Sequence, residues 1–141
     1  MSSEQQKVNM RSQVRQLALQ YLYATEINTN NQAELRSQMV LQNECLGSAK
    51  YCQFFDDIIS GVSEHAQALD DDISSYLINW KLNRIAILER LILRMAFWEI
   101  DYYQTPTGVA ASEAIALSKI FCDDQASFYI NGILGKKIKI N

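Results

Sequence analysis

An all-α fold follows from three features of the sequence. One proline and five glycines interrupt 141 residues, so the turn signals that would punctuate an all-β chain of this length are missing. Apolar residues recur at helical spacing in block after block. A hydrophobic content of 48% over this length also suffices for a substantial core without disulfides or a metal.

The elements follow in order. Val14, Leu17, Ala18, Tyr21 and Leu22 form the one-sided stripe of an amphipathic helix, which stops at the polar loop "NTNN". A second helix is predicted over residues 32–46, ended by Gly47. Ser48 is expected to cap a long third helix, whose stripe runs unbroken through Tyr51, Phe54, Phe55, Ile58, Val62, Ala66, Leu69 and Ile73. These three make an N-terminal sub-bundle, residues 8–78 or so. "SSYLINWKLN" reads as a short helix and a turn. Ile85, Leu88, Leu91, Ile92, Met95, Trp98 and Tyr102 then define a strongly amphipathic helix that stops before "QTPTG". A helix over residues 109–121 carries the small residues Ala110, Ala111, Ala114 and Ser118, a thin face on which a neighbour can lie closely. Asp124 is the expected N-cap of the last helix. These close a C-terminal sub-bundle, residues 79–141 or so, with no internal repeat and no low-complexity linker between the two.

Charge is segregated. Residues 51–80 hold six acids (Asp56, Asp57, Glu64, Asp70, Asp71, Asp72) and no lysine or arginine; with a net charge of −3, the rest of the chain carries +3. An anion-binding face is therefore compatible with an acidic protein. Cys45, Cys52 and Cys122 are odd in number and form no C-x-x-C, which points to reduced, packed thiols. No apolar run reaches membrane-spanning length and the N-terminus has no signal core, so a cytoplasmic setting is expected. Enzyme chemistry finds no support: His65 is the only histidine, no nucleophile is placed to use it, and no phosphate-cradling glycine motif occurs. Asp70, Asp71 and Asp72 are consecutive and point apart on a helix, so neither metal nor cofactor is expected there.

The blocks "WKLNRIAILERLILRMAFWEI", Pro106, "VAASEAIALSKIF" and "FYINGIL", with "VRQLALQYLYATE" near the start, resemble the family of the transcription antitermination factor NusB in order and spacing. The resemblance covers nearly the whole chain. It implies an all-α, NusB-like fold of two packed three-helix sub-bundles and a non-enzymatic function: pairing with the ribosomal protein NusE to bind single-stranded boxA RNA and deliver it to elongating RNA polymerase, in support of rRNA transcription. Similar domains are fused to rRNA cytosine methyltransferases, and a chain ending at Asn141 is expected to leave no room for that second domain. The alternative reading is a homodimeric protein-interaction module with weak or no RNA binding, because the family's dense arginine cluster is here reduced to Lys7, Arg11 and Arg15.

Those three cations, at i, i+4 and i+8, form one ridge that can follow a phosphate backbone. A solvated surface is the plain alternative, and the resemblance assigns the ridge to RNA. Tyr76 and Tyr129 are candidates for stacking on unpaired bases, again with partly buried core rings as the alternative. On a helix Tyr129, Gly132 and Lys136 share a face; Lys136 and its neighbour Lys137 are assigned to RNA as well. Tyr23 and Glu89 match family positions that meet the ribosomal partner. Gly132 is expected to let the last helix cross a neighbour closely, with a bare patch on a binding surface as the alternative, and Asn131 to bond open backbone groups at a helix end or turn. Arg94 and Glu99 are expected to form an internal salt-bridge network.

Overall fold

A computed structural model describes residues 3–77 and 85–140, with the side chains of 10–77 and 85–139. Among the described residues there is no strand. The order is α1 (Ser3–Ile27), α2 (Gln32–Gln42), a 3-10 turn (Glu44–Gly47), α3 (Ala49–Glu64), α4 (Ala66–Ser75), α5 (Ile87–Asp101), α6 (Thr107–Phe121) and α7 (Asp124–Ile140). The all-α expectation holds. The short helix and turn expected in "SSYLINWKLN" fall largely on residues 78–84, outside the described residues.

Contacts divide the chain into two units, Met1–Ser60 and Gly61–Asn141. In the first, most of the stripe read from the sequence is core: Val14 and Ala18 of α1 are fully buried and Tyr21 and Leu22 buried, while Leu17 is half-buried and Leu19, outside that stripe, is fully buried; Phe55 and Ile58 of α3 are fully buried too. Tyr21 sets its ring edge-on to Phe55. Arg36 of α2 grips the Asp56 carboxylate of α3 with both fork positions, at 2.6 and 2.7 Å, the geometry in which arginine binds a carboxylate most strongly.

In the second unit α5 is the central element, packed on α4, α6 and α7. Leu91 through Trp98 are buried there except Arg94, whose guanidinium reaches out to hold both oxygens of Asp70 on α4 at 2.6 and 2.7 Å. Glu99, 2% exposed, accepts the Thr105 hydroxyl at 3.0 Å and so fixes the loop into α6. The thin face of α6 is buried at Ala110, Ala114 and Ser118, and Ser118 Oγ meets Ser127 Oγ of α7 at 2.7 Å.

Three boundaries differ from the sequence reading. The second helix ends at Gln42 and not at 46, because Asn43 turns to extended backbone and both its N–H and its side-chain amide donate to the Met39 carbonyl. The long third helix is broken at His65, which leaves helical geometry (φ −106°, ψ 16°) and stacks on Tyr102 at 3.9 Å between ring centroids. Val62, Ala66 and Leu69 keep helical spacing across that one residue, so periodicity could not register the break. The last helix is capped by Asp123, whose carboxylate accepts the Ala126 N–H at 2.8 Å; Asp124 is the first helical residue.

Candidate nucleic-acid interface

One face of α7 forms a wall of an open groove of about 620 Å³. Tyr129, Gly132 and Lys136 stand along it, Asp123 at its start; Tyr76 beyond α4 and Glu89 on the first turn of α5 supply the facing side. Asp123 and Lys136 are thirteen residues apart, about 20 Å along a helix. The groove is therefore acidic toward the start of α7 and basic toward its other end.

Tyr76 is half-buried and held edge-on by Phe97, ring centroids 5.9 Å apart. Tyr129 is also half-buried, and its hydroxyl is enclosed without a hydrogen-bond partner among the described residues. Burial, together with the Glu89 carboxylate, pushes the Tyr129 phenol above its ordinary range. Glu89 itself is held above the usual carboxylate range by burial and by the charge of Asp123. These groups thus lie within one another's fields, as burial and like charges dictate.

Gly132 overturns its expectation. It is exposed, and a Cβ built on it would meet nothing within 4 Å, so it permits no close crossing and leaves the groove wall bare beside Tyr129. Asn131 is exposed inside α7 rather than at an end or turn. The close approach belongs to Gly61, where an added Cβ would overlap the Trp98 indole.

The predicted cations separate. Lys136 is exposed in the groove. Lys137 has another position: it is 2% exposed, and its ammonium donates to Asp72 at 2.8 Å and Asp101 at 2.9 Å, tying α7 to α4 and α5. Arg15 is 3% exposed, with its guanidinium 5.1 Å from the Phe54 ring centroid, whereas Arg11 covers the same ring at 5.0 Å and stays half-exposed. The side chain of Lys7 lies outside the described residues. Tyr23 is 38% exposed on α1, in the first unit, and Glu89 belongs to the second.

Segregated charge in the sequence becomes paired charge in the fold, since Asp56, Asp70 and Asp72 engage Arg36, Arg94 and Lys137. The cysteines are free thiols, Cys45 buried. Among the described residues no group of three or more metal-ligating side chains occurs, and no helix is long and apolar enough to cross a membrane. Sequence reasoning missed Phe128, 83% exposed at the groove. Its signal was present: the residue stands off the buried register of Ala126, Ser127, Ile130, Ile133 and Leu134.

Fold and groove together define an all-helical protein with a mixed aromatic and charged groove on its C-terminal helices. The chain belongs to the NusB family, whose model matches residues 12–139. The transcription antitermination protein NusB of Bacillus subtilis (strain 168) is 38% identical over 125 residues, covering 88% of this chain and 91% of that protein. T. maritima NusB superposes with a TM-score of 0.77 at 27% identity, covering 89% of this chain and 88% of that one. The crystal structure of antitermination factors NusB and NusE in complex with dsRNA shares the fold at a TM-score of 0.81 and 20% identity, covering 94% of this chain and 98% of that one.

Proposed function

We propose that this chain is a cytoplasmic transcription antitermination factor that binds boxA-type RNA together with the ribosomal protein NusE and assembles on elongating RNA polymerase. Family membership over nearly the whole chain carries the reading, and the groove supplies its chemistry. Half-exposed rings at Tyr76 and Tyr129 offer flat faces to unpaired bases. The bare wall at Gly132 leaves room for a base to approach, and the exposed Lys136 offers a cation to phosphate. Arg11, on α1 of the first unit, is a separate cation offered to phosphate. Lys137 and Arg15 leave the RNA set, one as an internal bridge and the other as a buried ring partner. Tyr23 of the first unit and Glu89 of the second are each assigned to the protein partner, a phenol and an acid being suited to a basic surface.

The test is a titration of boxA-type single strand, and of the duplex of the same sequence, with and without NusE at two salt concentrations. Tyr129→Ala should weaken single-strand binding by about 1–3 kcal/mol and leave its salt slope nearly unchanged. An unaltered affinity in that variant would move the RNA off this groove. Glu89→Lys should weaken NusE binding while the helical signal persists; an unchanged titration would remove Glu89 from the partner surface.

A further inference from the structure

The groove has a feature that RNA binding alone does not explain. Single-stranded RNA brings one negative charge per nucleotide, yet two carboxylates, Glu89 and Asp123, line the same groove as the ring on which a base would stack. Among the described residues neither carboxylate is ion-paired to a lysine or arginine, and the groove's described cation, Lys136, lies toward the other end of α7. Glu89 is half-buried, so its field is screened less by salt than that of a surface acid. It reaches Tyr129 and Cys122 as well, for its charge raises both groups.

Resting on the function proposed above, we infer that Glu89 couples the two ligands of this chain. Its carboxylate opposes the RNA phosphates until a basic protein partner covers it, and partner docking and RNA docking then reinforce each other through this one charge. The partner gains an attraction at Glu89 and the RNA loses a repulsion. Linkage makes the effect reciprocal, so RNA must strengthen the partner by the factor with which the partner strengthens RNA. Asp123 adds to the same field but is exposed and engaged as the α7 cap, which leaves Glu89 as the charge a partner can neutralise.

The experiment is a binding cycle on the full chain with a boxA-type RNA oligonucleotide and purified NusE, comparing the wild type with Glu89→Gln. The isosteric amide should raise RNA affinity in the absence of NusE by roughly three- to tenfold, the size of one partly screened charge. It should lower NusE affinity and shrink the enhancement of RNA binding by NusE by a similar factor. Glu34→Gln, which changes net charge equally from the exposed first turn of α2, should leave the enhancement as it is. An enhancement unchanged in Glu89→Gln overturns the coupling and leaves the RNA reading standing. The same is true if Glu34→Gln reproduces the effect, because net charge would then suffice. Failure of the wild type to bind the RNA even with NusE overturns the proposed function itself.

Discussion

Arg11 and Arg15 are one helical turn apart and lie over the same phenylalanine, yet their exposure assigns them different work. Arg11→Ala should flatten the salt dependence of RNA binding by about 0.7 in the log–log slope with little change in stability, since alanine favours helix. Arg15→Ala should do the reverse: its buried stem and ring contact are lost, which costs about 1–2 kcal/mol in urea denaturation, while the salt slope stays. Lys137 illustrates how burial converts a surface residue type into a structural one. Burial alone would lower its pKa, and the hydrogen bonds and charges of Asp72 and Asp101 more than offset that, leaving it above the ordinary lysine range. Its contribution to stability is therefore full below the unfolded lysine value near 10.4 and is lost as pH rises through the folded one. Lys137→Met should cost about 2–3 kcal/mol, at the low end for a broken buried pair because both aspartates keep access to water. A Lys137→Met protein as stable as wild type at pH 7 would show that the bridge contributes nothing.

Glycines at the level of the helix behave in opposite ways. Gly132, exposed in α7 with open space around its Cβ position, should accept alanine with a gain of about 0.5–1 kcal/mol from helix propensity. Gly61 in α3 should not: the methyl would enter the Trp98 indole, and Gly61→Ala should lose at least about 1–3 kcal/mol through overpacking. Parallel thermal melts of the two variants decide this, and shifts of the same sign would contradict it. Its place in an apolar run suggests close packing for Gly132, but successive positions in such a run differ by about 100° around the axis. Which side of α7 meets α5 and α6 was needed to tell groove wall from core.

Across the whole molecule, net charge is a poor guide to binding, because three cations of the basic remainder are consumed by aspartates of the acidic stretch. Binding of boxA-type RNA by this chain alone should therefore be weak and only mildly salt-dependent, and the slope should steepen when NusE adds its own cations; equal slopes in the two titrations would contradict this. The all-helical class, the helix positions in outline save the break between α3 and α4, and the apolar stripes were legible in the sequence, since spacing and the scarcity of breakers are local properties. Tyr76, Tyr129, Glu89 and Lys136 were also singled out there, but as members of two separate sets. Only the tertiary structure brought them to one groove, buried Lys137 and Arg15, split the third helix at His65 and moved the close contact to Gly61. The reason is physical: periodicity reports which side of a helix is apolar, whereas burial of a charge and the convergence of a groove depend on which other helices arrive there, from residues tens of positions away.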